Sequence, residues 1–179
     1  LMINNISNVV FKGYPEGTIH FFDDKVEMIT GYPKDLFVNK SLKWTDLIVP
    51  EDRAPAKQIF VEALTTSHQY IREYRIRRKD GHTVWIQASS QIVCDRDGRI
   101  DFISGAFLDI TERKELEAKL EKSEKKYHAI FSNIPNPVFV LDEDTLEILD
   151  CNESVKTVYG YSREEVVGKS FKELFSGDE

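Results

Sequence analysis

Few residues in this chain could do chemistry, and they are scattered. His20, His68, His82 and His128 lie far apart in sequence, and Cys94 and Cys151 form no CxxC pair, so neither set has metal-ligand spacing. Both cysteines read as reduced core or sheet residues. His128 stands in a helical run, where a phosphoacceptor histidine would stand, but Ala129-Ile130 follows it where a carboxylate is the usual neighbour. The acidic pairs Asp23/Asp24, Glu51/Asp52 and Asp142/Asp144 sit among cap and turn residues, which favours solvated charge over a metal site. There is no Gly-rich nucleotide loop, no HExxH helix and no nucleophile elbow. Catalysis within these 179 residues is therefore not expected.

The aromatic residues are better placed. Phe22, Met28, Trp44, Phe60, Tyr74, Trp85 and Phe107 could together line an apolar pocket with a few polar groups, the usual surroundings of a small-molecule site. Aromatics on a half-buried sheet also serve as core and as dimer surface. Choosing between these roles requires the elements that carry them.

After Ser67 the apolar pattern has a period of two, broken at Lys79-Asp80-Gly81 and at Asp95-Arg96-Asp97-Gly98. Asp-Gly turns between alternating runs predict three long antiparallel strands in a meander. Two short strands, 8–12 and 17–22, precede them. Between the two groups come short helical pieces and one amphipathic helix, whose stripe is Ala56, Ile59, Phe60, Ala63 and Leu64 and whose start accommodates Pro50 and Pro55. The resulting fold class is α+β, with small helices on one face of a five-stranded antiparallel sheet.

The last strand runs into a charged helical segment at Asp109-Ile110-Thr111, with Thr111 as the expected cap. Leu116, Leu120, Tyr127, Ile130 and Ile134 then form a short heptad seam, marginal alone and suited to pairing with a second copy. An internal repeat follows. Residues 23–43 align without gaps over 152–172 with seven identities, among them Gly31/Gly160, Tyr32/Tyr161 and Ser41/Ser170. The expected organisation is a complete domain over 1–113, a linker helix over 111–133 and the N-terminal half of a second domain over 134–179. That half could not bury its sheet face by itself. It is expected to be poorly ordered, borrowed by a neighbouring chain or completed by further sequence. Leu1 is not an initiator, which points to a piece of a longer polypeptide.

Three segments, YRIRRKDGHTVWIQ (74–87), FISGAFLDITERK (102–114) and NESVKTVYGYSREEVVGKS (152–170), resemble the PAS family and its PAC block. The resemblance implies a five-stranded sheet cradling small helices around a ligand cavity. It implies a sensory and dimerisation module of a signal-transduction protein, a sensor histidine kinase in the first instance, with a diguanylate cyclase or transcription regulator as alternatives. Asp109, Ile110, Thr111, Leu116 and Leu120 would relay the signal to an output domain. The first copy departs from the second at Asp23-Asp24, where the repeat has Asn152-Glu153. The cofactor is left open: none is the first expectation, and a noncovalent flavin or a haem, for redox or gas sensing, is the alternative. Residues 32–44 lack the cysteine of a photochemical flavin adduct, and His68 reads as solvent-facing rather than as a haem ligand.

The partners expected are a second copy, through linker helix and sheet face, a downstream output domain and a small-molecule ligand. A net charge of −7 argues against nucleic acid, and Arg75-Arg77-Arg78-Lys79 reads as an exposed strand surface. No apolar run is long enough for a bilayer and no signal peptide is visible, so a cytoplasmic location is expected.

Overall fold

The computed structural model describes residues 8–175 apart from 15, 17, 22 and 23. The chain divides into two compact units, Leu1–Glu115 and Leu116–Glu179.

In the first unit β1 (Val9–Gly13) and β2 (Ile19–Phe21) form the opening hairpin, and β3 (Gln69–Arg77), β4 (Thr83–Cys94) and β5 (Ile100–Asp109) form the meander. The sheet order is β2-β1-β5-β4-β3, antiparallel throughout, because β5 returns to pair with β1. Between the hairpin and the meander lie α1 (Lys25–Thr30), α2 (Lys34–Val38), α3 (Trp44–Leu47) and α4 (Pro50–Leu64). Gly81 and Gly98 take the positive φ that their hairpin turns demand.

Alternation decides which face is dry. Val9 and Phe11, Ile19 and Phe21, Tyr70, Tyr74 and Ile76, Val84, Ile86 and Ala88, and Ile103 and Phe107 all point to the helices and are buried. The expected stripe of α4 faces them through Ala56 and Ala63, flanked by Ile59, Phe60 and Leu64. Pro50 opens α4, as a residue lacking an amide hydrogen can. Pro55 does not belong to that start; it lies inside the helix, where it forgoes one backbone bond.

Phe11 stacks on Phe107 at 4.2 Å and Phe107 on Trp44 at 3.9 Å, so three rings form a column from β1 through β5 to α3. Gly105 makes this column possible. A Cβ there would stand 2.3 Å from the Ser89 carbonyl oxygen and 2.9 Å from Cζ of Phe11.

The chain leaves β5 into α5 (Thr111–Asn133), which carries the boundary between the units. The second unit adds β6 (Phe139–Leu141), β7 (Ile148–Cys151), α6 (Glu153–Tyr159), α7 (Arg163–Val166) and α8 (Phe171–Phe175). β6 and β7 pair, and α6 and α7 occupy the repeat positions of α1 and α2, with left-handed Gly160 ending α6 as Gly31 ends α1. Ile148, Cys151, Val155 and Val166 form a small core of its own. Asn152 is not the helix cap its position suggests. It is buried, and its amide donates to the carbonyls of Ile134 and Asn136 while its oxygen accepts from Val138 N–H, tying α6 to the segment that follows α5. Among the described residues no helix is long and apolar enough to cross a membrane.

Replacing Gly105 by Ala should lower the first unit's stability by about 1–3 kcal/mol through overpacking. Urea unfolding followed by tryptophan fluorescence measures this, and an unchanged midpoint would show that the column tolerates displacement.

Candidate functional site

A cavity of about 410 Å³ lies between the sheet and helices α3 and α4. Its apolar wall comes from the stacked column and from Ile19, Ile48, Phe60, Tyr70 and Ile103. At its other side are Thr45, Asp46, Arg53 and Lys57, all exposed, and Arg72, which faces the helices from β3. Trp44 is held by a second interaction: its indole N–H donates to the Tyr74 hydroxyl at 2.8 Å. Burial pushes the Tyr74 phenol up to about 12, so it stays neutral.

Of the seven expected pocket residues, Trp44, Phe60 and Phe107 line this cavity. Tyr74 is completely buried behind Trp44 and supports the wall rather than forming it. Two assignments need correction. Met28 is 71% exposed, because α1 turns Val26, Ile29 and Thr30 to the core and Met28 away from it. Trp85 lies on the outer face of β4, opposite in parity to buried Val84 and Ile86, so it cannot reach the cavity. Phe22 lies outside the described residues, as does Asp23, so the departure at Asp23-Asp24 has no structural account.

His68 is exposed and does not line the cavity, and the lining includes no histidine, cysteine or methionine, so the donor set does not fit a haem. A flavin would need a free ring face, and the stacked column already occupies the faces of Phe107. His128 is exposed beside Tyr127. Asp52 binds Arg75, Asp24 pairs with Lys34, and Asp142 accepts from Asp144 N–H, Thr145 N–H and the Thr145 hydroxyl. Among the described residues no cluster of three His, Cys, Asp or Glu could hold a metal.

Trp85 instead belongs to the junction where β5 becomes α5. Pairing of β4 with β5 ends at Ile86 and Asp109, so the backbone of Trp85 needs other partners. Its N–H donates to the Thr111 hydroxyl and its carbonyl accepts from Ile110 N–H, both at 2.9 Å. Thr111 is thereby consumed and is not the cap of α5. The Asp109 carboxylate takes that part, accepting from Thr111 N–H at 2.9 Å. Ile110, between them, is buried.

Charges on the outer face complete the junction. Glu73 on β3 accepts from Arg113 at 2.6 Å and from Gln87 at 3.1 Å, and pairs with Lys114 at 2.7 Å, tying α5's first turn to the sheet edge. The Trp85 ring lies against both the Lys114 ammonium and the Arg75 guanidinium. Arg75 grips Asp52 at the start of α4 through two parallel bonds of 2.7 and 2.9 Å. Sequence reading missed Glu73 and Arg113, whose signal is only that oppositely charged residues stand on either side of a long strand connection.

Beyond the junction Leu116 and Leu120 are 57% and 61% exposed, and Tyr127 and Ile130 are also exposed, so among the described residues these four seam positions face outward, while Ile134 is half-buried.

A family model described as the PAS fold matches residues 19–107, and a second PAS-fold model matches 125–179. The chain is 27% identical over 125 residues to a probable diguanylate cyclase of Escherichia coli, DgcE, covering 70% of this chain and 11% of that protein. It is 24% identical over 136 residues to the sensor protein FixL of Bradyrhizobium diazoefficiens, covering 76% of this chain and 25% of FixL. The chain thus spans a quarter or less of the length of these relatives. A sensory box histidine kinase/response regulator structure from Burkholderia thailandensis superposes with a TM-score of 0.57 at 25% identity, over 68% of this chain and 91% of that one.

Glu73 makes the junction acid-sensitive. Its carboxyl is held down to about 2 from an ordinary 4.5, chiefly by the Lys114 hydrogen bond. A depressed carboxylate stabilises fully above its ordinary value and loses that contribution as pH falls towards the folded one. Amide exchange in residues 113–115, corrected for intrinsic rates, should therefore keep its protection from neutral pH down to about 4.5 and lose it below. In Glu73→Gln the protection should be weaker at neutral pH and flat across that window; matching profiles in the two proteins would detach Glu73 from the helix.

Proposed function

This chain belongs to the PAS family, and from that premise we propose that it is a sensory and dimerising relay, with no catalytic centre of its own, in a longer cytoplasmic signalling protein. A sensor histidine kinase is the favoured parent. The observation that carries the reading is the double role of β5. Ile103 and Phe107 of this strand line the cavity, and two residues beyond Phe107 the same strand ends in the Asp109 cap of α5. A ligand that binds two positions of this strand unequally shifts the balance between them, and α5 must follow. The kinase reading draws support from FixL and from the Burkholderia protein, both named as sensors or kinases. DgcE, named as a cyclase, supports the alternative output.

In this reading the uncovered stripe of α5 meets the same stripe of a second copy, since a/d leucines exposed to water gain most by mutual burial. The half-exposed outer sheet face, with Val10, Phe102 and Leu108, is a second surface for such pairing.

Leu116→Asp and Leu120→Asp should each shift the chain from dimer towards monomer in sedimentation velocity, raising the dimer dissociation constant by roughly tenfold or more, the cost of burying an unpaired charge. Unchanged sedimentation in both variants would remove the seam from the interface. Mass spectrometry of what denaturation releases, with an absorption spectrum of the native protein, tests the sensory half: a released small molecule supports it, and a coloured cofactor would replace it with redox or gas sensing.

A further inference from the structure

We infer that the cavity of the first unit takes a small organic acid, a carboxylate on an apolar body; this rests on the reading of that cavity as a ligand site. The reason is the distribution of charge around it. In a chain of net charge −7, its lining gathers Arg53, Lys57 and Arg72 against one acid, Asp46. A carboxylate oxygen of Asp46 already accepts from Lys43 N–H at 3.1 Å.

The cations elsewhere in the unit are treated differently. Arg75, Arg113 and Lys114 each have a carboxylate within 3 Å, whereas among the described residues no carboxylate pairs with Arg53, Lys57 or Arg72. Arg53 donates only to the backbone carbonyls of Ile48 and Asp46, which fixes its position without neutralising it.

Arg72 carries the argument. It stands between Tyr70 and Tyr74 on the inner face of β3, with its guanidinium 5.2 and 5.3 Å from their ring centres. One terminal nitrogen donates to the Ala56 carbonyl at 2.8 Å. Its Nε is sealed from solvent and donates to nothing. Arg72 lines the cavity without a carboxylate partner among the described residues, and a carboxylate is the partner that matches a guanidinium in both charge and shape. The Trp44 indole N–H is spent on Tyr74, so the stacked column offers such an acid apolar surface. Anionic recognition at one side and apolar surface at the other select an amphipathic acid. The volume of about 410 Å³ keeps it small.

The test uses 1-naphthoate and its neutral isostere 1-naphthamide, titrated calorimetrically into the full 179-residue chain. We expect naphthoate to bind roughly tenfold or more tightly than the amide, the discrimination that a charge-assisted pair supplies. Arg72→Gln should abolish that preference, Lys57→Gln should reduce it by about threefold through weaker, solvent-screened attraction, and Ala56→Trp should block both probes. Lys57 is exposed, so its variant is informative even if Arg72→Gln unfolds. Equal binding of acid and amide would overturn the anion assignment and leave the cavity as a ligand site. Binding of neither probe would overturn both.

Discussion

The first unit depends on the stacking of Phe107 between Phe11 and Trp44. A helix of only four residues such as α3 has almost no stability of its own, so its position is set by what Trp44 touches. It touches Phe107 with its face and the Tyr74 hydroxyl with its N–H, which locks α3 to β5 and β3 together. The column also reconciles two demands. It closes the core through stacked rings, and the same rings form part of the cavity wall.

The sheet has two chemically different faces, and their division follows from the pleat. Inward positions carry the column, the cavity wall and Arg72, which has no carboxylate partner among the described residues; outward positions carry Trp85, Arg75 and Glu73, all engaged around the root of α5. β3 alternates between these tasks, with Arg72, Tyr74 and Ile76 facing in and Glu73 and Arg75 facing out. Being the edge strand, it is also where α4 wraps over the sheet, through Val49 N–H donating to the Arg75 carbonyl and Asp52 accepting from the Arg75 backbone N–H and guanidinium. The strand that meets the cavity helix is thus the strand that holds the first turn of α5. That gives the proposed relay a continuous set of packed and charged contacts.

The second unit reproduces the first as far as α7, and its differences are instructive. Asn152 makes three bonds that a carboxylate could not all make, since two require amide hydrogens. Ser162 and Glu165 add a reciprocal cap at the start of α7, where the first unit has Pro33 before α2. With DgcE and FixL matched over small parts of their lengths, the shared fold leaves the output undetermined.

Local chemistry is what the sequence by itself determined. Asp-Gly turns, a period of two across three strands and the α4 stripe each depend on neighbours in the chain, and the repeat of 23–43 over 152–172 is visible by direct comparison, so the α+β class, the meander and the half-repeat were legible. Parity was legible too, but only relative: alternation separates Trp85 from Val84 and Ile86 without saying which face is wet. The same limit placed Met28 in the pocket and Thr111 at the cap. Those roles were settled by tertiary structure, because the partner of Thr111 is the backbone of Trp85, that of Trp44 is Tyr74, and those of Glu73 are Arg113 and Lys114, up to 41 residues away. Contacts at such separations arise from strand register and helix docking, which a one-dimensional pattern does not encode.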